Sequence, residues 1–131
     1  LGIAYKEMGM LDDATRELTL AAESPAYRIS ALTMLGQCKM QGDKAAEALA
    51  TYFKALHSEN IHGDEQISLH YEIATAYLKM GVKTEAQSYF EKVSGTAPGY
   101  RDVDAQLKAL KKADPGSDSG GSSSNGSTIF L

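Results

Sequence analysis

The chain is poor in cysteine, has no tryptophan and carries only three prolines among 131 residues. Its single cysteine, Cys38, excludes an internal disulfide and any zinc centre built from several cysteines. It also fits a reducing compartment, so a cytoplasmic setting is expected. There is no excess of basic residues: 13 Lys and Arg stand against 17 Asp and Glu, for a net charge of −4. Non-specific nucleic-acid binding needs a basic stripe, so no nucleic-acid partner is expected. No apolar run approaches the roughly 20 residues of a membrane-spanning helix, and no charged-then-apolar leader opens the chain, so no membrane partner is expected either.

Catalytic signatures are missing too. Neither a G-x-S-x-G turn nor a G-x-x-x-x-G-K-[ST] phosphate loop occurs. His57 and His62 are spaced like metal ligands but have no cysteine partner, and His70 reads as a packed neutral side chain. Cys38 has no nearby base in the sequence and reads as a small buried hydrophobe. The expectation is a chain that is not an enzyme and holds no metal and no cofactor.

What is present is a helical pattern that repeats. From Leu69 to Met80 the apolar residues Leu69, Ile73, Ala76, Tyr77 and Met80 recur at three or four, the spacing of one helix face. Gly81 follows, where glycine enters the left-handed region without a Cβ clash and stops the helix. Ala86, Tyr89, Phe90 and Val93 form the face of a second helix, with Pro98 beyond it. The same reading predicts helices over about Leu1–Met8 (stopped by Gly9), 11–23, Tyr27–Gln41 (stopped by Gly42), Asp43–His57 and Tyr100–Ala113. A polar connection is expected over Ser58–Asp64. That makes about seven helices and an all-α fold.

Aligned, the hairpins coincide. Gly2, Gly36 and Ala74 share one position; Ala14, Ala48 and Ala86 share another twelve residues on. Leu18, Tyr52 and Phe90 share a third, and Ala21, Ala55 and Val93 a fourth. Gly36 lies 34 residues after Gly2, and Ala74 lies 38 after Gly36. The connection around Asn60–Asp64 is the place for the four extra residues. The small residues belong where two helices approach closely, because larger ones would force them apart.

A 34-residue period of helix-turn-helix units is the mark of the tetratricopeptide repeat, and the residues resemble that family. Leu1-Gly2-x-x-Tyr5-x-x-x-Gly9 matches its L-G-x-x-Y-x-x-x-G, and Ala14, Leu18 and Ala21 follow its A…F…A series. The third unit matches through Tyr77, Gly81, Ala86, Phe90 and Pro98. The middle unit departs: Lys39 replaces the tyrosine, Cys38 is expected to fill its volume, and Gly42 comes one residue early.

The resemblance implies a right-handed superhelical stack of helix-turn-helix repeats over residues 1–113. It would hold three repeats, the first truncated, and a capping helix. Because the pattern opens inside a helix, upstream repeats of a longer protein are expected. The resemblance also implies a non-catalytic protein-protein interaction module, part of a larger scaffold, whose concave face binds a peptide or helix of a partner. The face residues it implies are Ile3, Lys6 and Glu7 in the first unit. In the second they are Ser30, Thr33, Gln37, Met40 and Gln41, and in the third Ser68, Tyr71, Thr75, Leu78 and Lys79. Tyr71 stands out because it falls off the apolar stripe of its helix. Family members that clamp a chaperone carboxylate use lysine and asparagine where this chain has Thr33 with Gln37 and Tyr71 with Thr75, which argues against that mode. The alternative is a structural solenoid extension or a self-association module with no groove ligand.

After Ala113 the composition changes. Residues 114–128 read DPGSDSGGSSSNGST, too poor in apolar groups to offset the cost of ordering, so a disordered Gly/Ser-rich tail is expected. It ends in Ile129, Phe130 and Leu131, an apolar tip that reads either as chance or as a tethered docking motif.

Overall fold

Six α-helices, each packed on the next in chain order, make up the described residues. They are α1 (Gly2–Ala21), α2 (Arg28–Gln41), α3 (Ala45–Leu56), α4 (Gly63–Met80), α5 (Lys83–Thr96) and α6 (Val103–Ala113). The structure, a computed structural model, describes residues 2–113, the first seven of them by their backbone alone. The expected tail over 114–131, with Ile129, Phe130 and Leu131, lies outside the described residues. No described helix is long and apolar enough to cross a membrane.

The core follows the aligned positions. Ala48 and Ala86, Tyr52 and Phe90, Ala55 and Val93 are all buried, as are Gly36 and Ala74. One apolar cluster joins Leu32 and Leu35 of α2, Ala48, Tyr52 and Ala55 of α3, and Leu69, Ile73 and Ala76 of α4. The next joins Ala74, Ala86, Phe90 and Val93 to Val103 and Leu110 of α6. Tyr77 and Tyr89 pack against both. Helices α2 to α5 therefore each bury a stripe against both neighbours and α6 against α5, whereas α1 has no fully buried side chain among its described residues and Leu18 only packs partly buried on the first cluster. Besides these sequential pairs, α2 touches α4.

Gly36 shows why size matters at the first position. A Cβ placed there would lie 2.3 Å from Cε1 of Tyr52, well inside van der Waals contact, so only glycine lets α2 approach the Tyr52 ring.

One expectation about helix ends is corrected and another is sharpened. Gly9 does not stop a helix: α1 runs through it for 20 residues, so six helices replace the expected seven among the described residues. An interior glycine costs only about 1 kcal/mol relative to alanine, too little to end a helix alone. At Gly9 no described residue lies within 4 Å of a would-be Cβ, so no crossing helix enforces a turn.

At Gly42 the helix ends as expected, after Gln41, but the left-handed residue is Asp43, with φ +60°. Asp43 stands 38 residues before Gly81, whose φ is +82°, so the turn keeps its place in the repeat. The hydrogen bonds agree. Asp43 N donates to Met40 O and Lys44 N to Lys39 O (3.1 and 2.8 Å), as Gly81 N does to Leu78 O and Val82 N to Tyr77 O (3.1 and 2.9 Å). Aspartate tolerates the left-handed region better than most residues because its short side chain bonds locally. Cys38 is half-buried.

The longer connection spans residues 57–62 and holds Asn60 at φ +62°. It is shorter than expected because α4 begins at Gly63. There the Glu65 carboxylate accepts from His62 N at 2.9 Å, half of a capping box. The last turn, residues 97–102, contains Gly99 at φ +79° and Arg101 at φ +43°.

Candidate polar and aromatic face across α2, α4 and α6

The face shared by α2, α4 and the start of α6 is organised around one carboxylate. Glu72 lies next to Tyr71 on α4, and its side chain is only 12% exposed. Gln37 of α2 donates its amide to Glu72 Oε2 at 3.1 Å. The Tyr52 hydroxyl reaches Glu72 Oε1 at 3.5 Å. Arg101, from the turn before α6, places Nη1 3.4 Å from Oε2. A carboxylate this covered needs such donors, because an unpaired buried charge is costly. Burial, and then the charge of Glu72, push the Tyr52 phenol well above its ordinary pKa.

Tyr71 forms the second half. Its hydroxyl donates to Asp102 Oδ1 at 2.5 Å. Its ring meets Phe90 edge-on and Tyr100 edge-on, both at 5.8 Å between centroids. The Arg101 guanidinium carbon lies 4.8 Å from the Tyr71 ring centre and 5.2 Å from that of Tyr100, within the range of cation–π attraction. Desolvation, followed by the bond to Asp102, raises the Tyr71 phenol to about 12. The same bond, with one from Gln106 Nε2 to Oδ2 at 3.0 Å, lowers the Asp102 carboxyl below its usual range.

The other residues marked from the sequence fall as follows. Gln37, Gln41, Ser30 and Lys79 are exposed; Thr33, Met40, Ser68, Thr75 and Leu78 are half-buried. Thr33 and Thr75 donate their hydroxyls back to Ile29 O and Tyr71 O, so their oxygens are engaged within their own helices. Met40 packs against the first apolar cluster and Leu78 against the second. Lys79 pairs with Asp43 at 3.7 Å across the two helix ends. The side chains of Ile3, Lys6 and Glu7 lie outside the described residues. Glu72, Arg101 and Asp102 were not singled out in the sequence. Their meeting depends on the turn over 97–102, which no periodicity announces.

A separate aromatic cluster joins α3, α4 and α5. Tyr89 stands 5.6 Å from His70, 5.9 Å from Tyr77 and 6.2 Å from Phe53, and Lys92 lies 5.7 Å above its ring. Burial, with the Lys92 charge, lowers the His70 pKa. At one end of the helices an open groove of about 1010 Å³ runs between the α1–α2 and α3–α4 connections, over Ile29, Leu32 and Leu35. Of the face residues implied by the sequence only Ser30 lines it, while His57 and His62 also stand in its wall. Among the described residues no three His, Cys, Asp or Glu side chains gather in a way that could hold a metal ion.

Compared with known proteins, the chain matches no family model and no curated protein.

Proposed function

We propose that residues 2–113 are a tetratricopeptide-like array, curved into a right-handed superhelix. In this reading it is a non-catalytic module that binds a peptide or helix of a partner protein along the face made by α2, α4 and the start of α6. The observation that carries the repeat is the pair of helix stops. Asp43 and Gly81 take the left-handed conformation at equivalent positions, with the same two hydrogen bonds. Buried residues also stand at matching positions in both hairpins. The polar face supports the binding role because its exposed amide, cation and aromatic groups can recognise a polypeptide. The half-buried thiol of Cys38 fits a reducing, cytoplasmic setting.

The test is an affinity capture with this chain and with a Gln37→Ala, Lys79→Glu double variant, both on exposed sites. Loss of the captured partner at unchanged helix content supports the face as the site. Recovery of the same partners excludes it.

One observation favours self-association instead. Met10 and Leu20 of α1, Tyr27 just before α2 and Met34 in the middle of α2 are large apolar side chains left exposed on the first two helices of the row. A second copy or a neighbouring repeat would cover them. Light scattering at high concentration separates the readings, because a monomer rules out self-association.

A further inference from the structure

The first unit leaves open a stripe that the other two units cover. Ala48, Tyr52 and Ala55 of α3, and Ala86, Phe90 and Val93 of α5, are 0–1% exposed. Ala14, Leu18 and Ala21 hold the same repeat positions in α1 and are only half-buried. The neighbours explain the difference. α3 is packed between α2 and α4, and α5 between α4 and α6, whereas α1 packs on α2. What α1 lacks is the helix that precedes its counterparts. α2 lies on α3 with Gly36 against Tyr52, and α4 lies on α5 with Ala74 in one cluster with Phe90.

The chain contains a segment of that kind. Gly2 holds the position of Gly36 and Ala74, and residues 2–8 are helical but run straight into the rest of α1. In a straight helix Gly2 and Leu18 stand about 24 Å apart along the axis and about 160° apart around it. They cannot meet within one straight α1. Nor can two straight copies, side by side, bring both stripes together, because one helix cannot turn opposite faces toward the same neighbour. A bend between the two positions is needed, and the repeat marks its place. Gly9 stands 34 residues before Asp43, and Asp43 stands 38 before Gly81; the latter two take the left-handed conformation that reverses the chain. Glycine enters that region without a Cβ clash, and no described residue lies within 4 Å of a would-be Cβ at Gly9 to oppose movement there.

We propose that α1 is a two-state element hinged at Gly9. In the second state residues 2–8 fold back as α2 does on α3, lay Gly2 against Leu18 and cover Ala14, Leu18 and Ala21. The straight state keeps the helical hydrogen bonds through Gly9; the closed state exchanges a few of them for burial of the stripe. Closure seals the first end of the row, and opening presents an apolar stripe there. The inference rests on the repeat reading of the hairpins and is independent of the α2–α4–α6 face.

The experiment is a nuclear Overhauser measurement on the full chain, read between the Gly2 α-protons and the Leu18 methyl groups. The Gly36 α-protons and the Tyr52 ring serve as the reference contact. Two variants push the equilibrium in opposite directions. Gly9→Ala favours the straight helix about fivefold from helix propensity alone. Leu11→Pro breaks it, because an interior proline removes a hydrogen bond and clashes with the preceding turn. Proline suits the first residue of a helix, and the equivalents of Leu11, Ala45 and Lys83, are the first residues of α3 and α5. The expected result is a Gly2–Leu18 contact in the natural chain and in Leu11→Pro, with a closed-to-straight ratio about fivefold lower in Gly9→Ala. Absence of that contact from the natural chain and from Leu11→Pro, with the Gly36–Tyr52 contact present, overturns the hinge and leaves the repeat reading standing. Absence of both contacts overturns the repeat reading as well. A contact seen only between differently labelled molecules gives the stripe to a second copy and overturns the hinge. If Leu11→Pro unfolds, the natural chain and Gly9→Ala decide: equal ratios in the two overturn the proposal.

Discussion

Gly36 and Tyr52 are packed so closely that a single added methyl group would lie 2.3 Å from the ring. Tyr52 has no room to retreat, because it is fully buried and its hydroxyl faces Glu72. Gly36→Ala is therefore expected to lower stability by about 1–3 kcal/mol through overpacking. Urea unfolding followed by circular dichroism measures it, and an unchanged midpoint would show that α2 and α3 are further apart than described.

One hairpin later Ala74 and Phe90 stand at the equivalent positions, and Ala86 is fully buried with them in a tight contact of α4 with α5. Ala86→Leu inserts three heavy atoms into that contact. A loss of about 1–3 kcal/mol is expected. A melting temperature equal to that of the natural chain would mean that the register of α5 on α4 is wrong.

Asp43 holds a left-handed backbone at φ +60° and pairs with Lys79 on the surface. Replacing it by glycine or by alanine removes that exposed pair equally. The two variants then differ only in backbone fit, and Asp43→Ala should be less stable than Asp43→Gly by about 1 kcal/mol. Equal unfolding midpoints would remove Asp43 from the role Gly81 plays.

His70 gives the fold a dependence on acid. Burial and then Lys92 lower its folded-state pKa below the ordinary 6.5, so the unfolded chain binds the proton more readily. The stabilisation is complete above pH 6.5 and is lost as pH falls through the folded-state value. Melting temperature should therefore drop on going from pH 7 to pH 5, and His70→Gln should remove that part of the drop. Parallel pH profiles for the two proteins would show that His70 does not titrate with folding.

How much of this was legible in the sequence depends on what sets each residue. The buried positions from Gly36 to Val93 were readable because close helix contacts fix side-chain size at a constant spacing. The end of α2 at Gly42 is legible, but its left-handed residue is Asp43, because aspartate can adopt the conformation that glycine usually supplies. Gly9 shows the converse: a glycine permits a turn but does not compel one when no helix packs back. Tyr71 was conspicuous as an aromatic off its stripe. Its hydrogen-bond partner Asp102 was not, because the two are 31 residues apart and meet only through the irregular turn over 97–102. Glu72 looked like any surface carboxylate until the turn and α2 closed over it.

Glu72 also changes how such a row of helices should come apart. In a stack where each helix touches only its neighbours, stability is a sum of local terms and the ends can fray independently. A single carboxylate that holds Gln37 of α2, Tyr52 of α3 and Arg101 before α6 couples elements that are not adjacent in the chain. Fraying at the α6 end then weakens a bond that α2 and α3 share, and the five helices from α2 onward approach one cooperative unit.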